Sequence, residues 1–180
     1  MLRPGVFLDR DGVVNRAMVH AGLPFPPSAV ADLEMLPGVE TACAAFRRAD
    51  IAVVVVTNQP DVVRGTTTRQ AVDEINSALR SMLPIDDLMV CFHDDDDGCE
   101  CRKPAPGLLL QAAERLSIDL ARSVMVGDRW GDIEAGRRAG CSTVWIEQGY
   151  SERRPDHQDV TMQSLYDAVP WILARCLGGV

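Results

Sequence analysis

Short apolar runs alternate along this chain with stretches of helical spacing. Val6-Phe7-Leu8 is the first such run, and Ile51 to Val56 is continuous and almost wholly β-branched, the composition of a strand covered on both faces. Further strands are predicted over Leu88 to Phe92, Ser123 to Val126 and Ser142 to Ile146. Between them, Gly38 to Asp50 puts Val39, Ala42, Cys43 and Phe46 on one helical face. Thr67-x-x-Gln70 reads as a capping box opening a helix to about Leu83. Pro106 starts a helix running to Leu116, and one from about Gly131 stops near Gly140. Met162 to Leu177 forms a terminal helix, interrupted or begun anew around Pro170. Val13 to Leu36 breaks the pattern: Pro24, Pro26 and Pro27 exclude a helix, and a loop of that length in a compact domain predicts a flap over a site. The alternation predicts an α/β fold, a three-layer Rossmann-like parallel sheet with helices on both faces, in one domain spanning residues 1–180.

In such sheets ligands bind beyond the carboxyl ends of the strands. The polar groups of interest all fall there: Asp9 and Asp11, Thr57 and Asn58, Arg102 and Lys103, Asp128 and Asp132. Asp9 and Asp11 are spaced i, i+2, so an extended backbone sends both to one side, and Gly12 allows a sharp turn after them. Crowded carboxylates call for a divalent cation, and an oxygen-only donor set suits Mg2+. Aspartate can accept a phosphoryl group covalently, which makes Asp9 a candidate nucleophile and Asp11 a candidate acid and base. Asp128 would add a second carboxylate for the metal, while Thr57 and Lys103 face phosphoryl oxygens. Lys103 is the only lysine among 18 cationic side chains, and a compact ammonium is not equivalent to a guanidinium at a phosphate.

Net charge is −8, which argues against a nucleic-acid surface but leaves room for a small phosphorylated substrate at a local cluster of cations. No stretch is long enough to span a bilayer and the first residues do not resemble a secretory signal, so the expectation is a cytoplasmic protein, monomeric, without nucleic-acid or membrane partners. Of six cysteines, three cluster: Cys91-x-His93 followed by Cys99-x-Cys101 is a Cys3His set of the kind that closes around Zn2+ in a reducing compartment. Residues 91–101 are therefore read as a zinc-binding loop that fixes Arg102 and Lys103. Asp94 to Asp97, inside it, read as solvated backbone. His20 and His157 read as surface side chains, Trp130 as a residue of the site mouth or of the packing, and Arg64 as a substrate anchor beyond the second strand.

The set Phe7-Leu8-Asp9-Arg10-Asp11-Gly12, Val56-Thr57-Asn58-Gln59, Cys101-Arg102-Lys103-Pro104 and Val126-Gly127-Asp128-x-x-x-Asp132 resembles the four motifs of the haloacid dehalogenase (HAD) superfamily. More narrowly, it resembles the small branch that contains the heptose-bisphosphate and histidinol-phosphate phosphatases. The resemblance runs from about Val6 to Gly149. It implies a HAD-like fold with no large cap domain and a Mg2+-dependent phosphatase working through a phospho-aspartate. Asp9 would be the nucleophile and Asp11 the acid/base. Asp9, the main-chain carbonyl of Asp11 and Asp128 would hold Mg2+, with Asp132 orienting neighbours. Thr57 and Lys103 would stabilise the phosphoryl group, and Asn58, Arg102 and Arg129 would contact substrate. The same branch carries the Cys/His cluster. A sugar bisphosphate is the favoured substrate, with histidinol phosphate as the alternative. Two departures stand out: Met18-Val19-His20-Ala21-Gly22 where the family carries Gly-Tyr-Val, and Pro60-Asp61 where Ser-Gly is usual. A phosphoaspartate signalling receiver, the competitor from another class, would lack the acid that Asp11 supplies.

Overall fold

The computed structural model describes residues 2–178. Six strands form one parallel sheet. In chain order, its members are β1 (Gly5–Leu8), β4 (Ala52–Asn58), β5 (Asp87–Cys91), β6 (Val124–Gly127), β7 (Ser142–Ile146) and β8 (Val160–Met162). A separate antiparallel pair, β2 (Met18–His20) and β3 (Leu23–Phe25), lies inside the segment predicted to be a flap. The sheet order is β5-β4-β1-β6-β7-β8, so the chain builds outward from β1 first in one direction and then in the other. The β1 register pairs Val6 with Val53 on one side and with Val124 on the other. This makes β1 the topological switch point, where the connections diverge and leave a crevice at the carboxyl edge.

Alternation along the strands divides the core. Val6 and Leu8 of β1, with Val53 and Val55 of β4, pack under α1 (Val39–Arg48), α2 (Arg69–Met82) and α5 (Leu165–Leu177). Phe7, Val54 and Val56 face the other way, against α3 (Gly107–Leu116) and α4 (Trp130–Ala139). With both faces covered, every residue from Ile51 to Thr57 is buried, which is why this run carries no polar alternation. Val39, Ala42, Cys43 and Phe46 are buried on α1, the face the spacing predicts.

Three boundaries differ from the sequence-based expectation. The α2 cap is Thr68, whose side chain accepts from the Ala71 amide; Thr67-x-x-Gln70 is not the box, and Gln70 instead donates to Glu74 one turn on. Val160 to Met162 is a sixth strand, so the terminal helix starts only at Leu165, capped by Ser164. That helix runs unbroken through Pro170. The carbonyl Pro170 leaves without a donor belongs to Tyr166, an exposed residue that water can serve. No helix among the described residues is long and apolar enough to cross a membrane.

Candidate active site

The carboxyl tips of β1, β4 and β6, with the loop that follows β5, open into a cavity of about 480 Å³. Asp9, Asp11, Thr57, Asn58, Arg102, Lys103, Arg129 and Asp132 line it. Asp128 lies behind, 4 % exposed, and lines a smaller adjoining cavity of about 310 Å³.

At the floor, the Lys103 ammonium donates to Asp9 Oδ1, to the Val56 carbonyl at 2.8 Å, and pairs with Asp132 Oδ1 at 2.6 Å. Burial alone would pull Lys103 down, but Asp132 and Asp9 outweigh it and hold the ammonium above the usual lysine range. Burial pushes Asp9 up to about 7 against the pull of Lys103, with Asp132 and Asp11 adding to the rise. Burial also pushes Asp128 well up, with Asp9 and Asp132 adding to it. One oxygen from each of Asp9, Asp128 and Asp132 falls within 4.8 Å of the others.

A divalent cation fits this arrangement. Three buried carboxylates face one ammonium, an excess of two negative charges in a poorly solvated place. Both oxygens of Asp128 are buried and accept no hydrogen bond; the Tyr150 phenol lies against this carboxylate without donating in good alignment. Gly12 makes room for it. Its φ is +94°, and a Cβ there would fall 1.8 Å from Asp128 Oδ2.

Asp11 is held differently. Arg10, wholly buried, forks onto its carboxylate at 3.0–3.2 Å and sends Nη1 to Asn76 at 2.8 Å. Asn15 and Gln59 each donate to Asp11 at 2.9 Å. Its carboxylate is thus saturated with donors and stands outside the oxygen trio. Gln59 also donates to Thr57 Oγ1 at 2.9 Å, which leaves the threonine proton free to donate elsewhere.

One sequence-based expectation needs correcting and another gains a second role. Asn58 lines the cavity and also bonds the Lys103 main chain: Nδ2 donates to the Lys103 carbonyl at 2.9 Å, and the Lys103 amide donates to Oδ1 at 3.1 Å. It positions the lysine, and its second Nδ2 proton remains for substrate. Asp94 and Asp95 are not merely solvated. Asp94 caps the turn 95–97 and grips Arg64 at 2.8 and 2.5 Å, while Asp95 accepts from Arg102 at 2.8 Å. The acidic run aims two arginines at the cavity that both line. Arg129 is likewise forked onto Glu152, at 2.8 and 2.5 Å. Trp130 stands at the cavity mouth, under Arg153. His20 packs against Phe25 and is not part of the lining, whereas Leu23 and Phe25 are.

Beside the cavity, Cys91, His93, Cys99 and Cys101 converge. Five of the six distances among their sulfurs and the His93 Nδ1 are 3.1–3.8 Å, and all four donors lie within 4.8 Å of one another. A tetrahedron with Zn–S bonds of 2.3 Å has edges of about 3.8 Å. All four donors are thus near the vertices that Zn2+ needs, and the cysteines are free of disulfides.

The sequence pattern gives no role to Gln59, Arg10, Tyr150 or Glu152. Gln59 and Arg10 stand inside the quoted motifs, and their motif neighbours are the available signal. Tyr150 and Glu152 come from the irregular segment after β7, and no local pattern marks them.

A parallel sheet with paired aspartates at its central strand tip, a threonine at the next tip and a buried lysine defines a HAD-like phosphatase, a phosphoric monoester hydrolase. The HAD-hydrolase-like family model matches residues 100–168. The D-glycero-β-D-manno-heptose-1,7-bisphosphate 7-phosphatase of Bordetella bronchiseptica is 40% identical over 149 residues, covering 80% of each chain. That of Vibrio cholerae is 35% identical over 192 residues, covering 97% of this chain and 98% of its own. The crystal structure of the D,D-heptose 1,7-bisphosphate phosphatase from B. bronchiseptica, complexed with magnesium and phosphate, superposes with a TM-score of 0.80 at 30% identity, over 94% of this chain and 98% of that one. The chain belongs to this heptose-bisphosphate phosphatase family of HAD-like hydrolases.

Proposed function

We propose that this phosphatase removes the 7-phosphate of D-glycero-β-D-manno-heptose 1,7-bisphosphate, and that Asp9 carries the phosphoryl group between the two half-reactions. The convergence of Asp9, Thr57 and Asp128 from three strand tips with Lys103 from the loop after β5 supports this most directly. The relatives' names support the substrate.

In the first step a carboxylate oxygen of Asp9 attacks phosphorus. An O–P bond forms to Asp9 as the ester P–O bond breaks, and Asp11 gives its proton to the departing alkoxide oxygen. In the second step Asp11 takes a proton from water, whose oxygen displaces Asp9 from phosphorus and releases inorganic phosphate. Lys103 and the free proton of Thr57 offset charge on the phosphoryl oxygens. Arg10, Asn15 and Gln59 hold Asp11 as the carboxylate in this arrangement, so to carry the proton of the first step it must turn away from them toward the leaving oxygen. Asp9, Asp128 and the Asp11 main-chain carbonyl would hold Mg2+, which supplies positive charge to the transferring group when bound. Asp132 stays with Lys103 and with the Arg129 amide, which donates to it at 3.1 Å.

Cys91, His93, Cys99 and Cys101 would hold a structural Zn2+, anchoring the loop that delivers Arg102 and Lys103. Arg102 and Arg129, joined by Arg64, contact the substrate beyond the scissile phosphate. The three clustered thiols and the chain's acidity support work in the cytoplasm on a small metabolite, by a monomer, away from nucleic acid and membranes. Phosphate release from the heptose bisphosphate, sugar monophosphates and histidinol phosphate, each with Mg2+, tests the substrate. Expected is the highest kcat/KM on the heptose bisphosphate; higher kcat/KM on histidinol phosphate would overturn it.

A further inference from the structure

We infer that Glu152 is a specificity-determining residue: paired with Arg129, it forms a charge-neutral donor and acceptor couple that recognises hydroxyls of a polyol leaving group. This deepens the proposed function and rests on its reading of a sugar phosphate in the larger cavity. Both residues line that cavity and also the smaller one behind it, so their ion pair is the partition between the two.

The three arginines of the cavity wall are not equivalent. Arg64 and Arg102 are paired through Asp95, whose side chain is 74 % exposed, and Arg64 also through Asp94. The Asp95 pairs, this exposed, are worth little and yield readily to an incoming phosphate. Arg64 is also forked onto both oxygens of Asp94, but that carboxylate is 33 % exposed and stands outside the cavity lining. Arg129 is forked onto both oxygens of Glu152, which is 19 % exposed and part of the lining. A forked pair is directional as well as attractive. Arg129 therefore keeps its geometry, with its charge largely cancelled and its Nη1 protons uncommitted. Donors of cancelled charge beside carboxylate lone pairs match a hydroxyl, which both gives and accepts. They match a second phosphate poorly, because Glu152 would repel it.

Glu152 is also fixed from behind. The Ser151 amide donates to the Gly22 carbonyl of the β2–β3 turn at 2.8 Å, and Gln148 donates to the Gly12 carbonyl at 2.7 Å. The segment from Gln148 to Glu152 thus ties the hairpin and the Asp11–Gly12 turn to one acid. A hydroxyl seated against this couple gains a donor and an acceptor at once, and an analogue lacking it gains neither.

The test compares kcat/KM for the heptose bisphosphate with that for an alkane-diol bisphosphate carrying two phosphates and no free hydroxyl. Wild type should prefer the polyol. Glu152→Gln should shrink that preference at least about ten-fold, mainly through KM, and Glu152→Asp should restore part of it. Arg129→Lys, which keeps the charge and loses the fork, should shrink it as well and serves if Glu152→Gln lowers the Tm sharply. A preference unchanged in the glutamine and lysine variants, or rates falling equally on both esters, overturns the inference. If another polyol phosphate beats the heptose ester in wild type, the substrate reading fails while the ratio, measured with that polyol, still tests Glu152.

Discussion

Replacing Asn58 with alanine separates a residue that holds the lysine from one that touches substrate. The side chain makes two hydrogen bonds, both to the Lys103 main chain. Each is worth about 0.5–1.5 kcal/mol net, so Asn58→Ala should lose about 1–3 kcal/mol of stability. At about 2–4 °C per kcal/mol for a chain of this size, the Tm falls by about 2–12 °C. The ammonium keeps its contacts to Asp9, Asp132 and Val56, so the lysine is loosened and not lost. A misplacement on the order of 1 Å in a reacting group costs up to about 10²-fold in rate. The expected outcome is a kcat lower by about 10- to 100-fold with KM changed less than about three-fold, read from steady-state phosphate release. Asn58→Asp, which keeps the acceptor for the Lys103 amide and drops the donor, should fall between. A raised KM with an unaltered kcat and Tm would refute the reasoning and leave Asn58 a substrate contact alone.

Asp9→Asn should lower phosphate release by more than about 10⁴-fold while leaving the fold intact by circular dichroism; near-wild-type turnover would remove Asp9 as the phosphoryl carrier. Metal-free protein should lose stability as pH climbs from the ordinary aspartate value of 3.8 to about 7. Across that window the folded state holds a proton on Asp9 that the unfolded chain has released, and Lys103, raised above the lysine range, titrates only at far higher pH. Mg2+ should therefore raise the Tm more at pH 8 than at pH 5, and an equal shift at both would contradict the crowding of carboxylates. Chelation of zinc should lower the Tm and release Cys99 and Cys101 to thiol titration, with Cys91, buried at the end of β5, reacting more slowly. Cys43, Cys141 and Cys176 should stay silent, being buried with thiols pushed up to about 12, 12 and 11 by burial. Cys99 and Cys101 reacting before chelation would argue against the metal.

The layers of the sheet were legible because both-face burial leaves long β-branched runs, and Ile51 to Val56 could be nothing else. The catalytic tips were legible for a related reason: polar groups at the ends of such runs have no structural use. Helix starts were less so, since Thr67 and Thr68 are both able caps and only backbone geometry chose between them. The strand Val160–Met162 is three residues long, too short for any periodicity to declare it. Asn58 lines the wall the motif implies, but its bonds to Lys103 are not legible there, because a motif names a residue without saying which neighbours its hydrogen bonds will reach. Asp94 and Asp95 read as solvent-facing charge in the sequence, since the arginines that need them arrive from 30 residues upstream and seven downstream. Glu152 lies furthest from any cue. Its partner Arg129 is 23 residues away and its segment has no regular structure.

The buried ammonium of Lys103 has a practical corollary. Amine-directed reagents find only two nitrogens to acylate in this sequence, the α-amino group and one side chain sealed inside the reaction centre. Stoichiometric modification beyond the terminus is therefore a direct gauge of how often that centre opens, with no surface background to subtract.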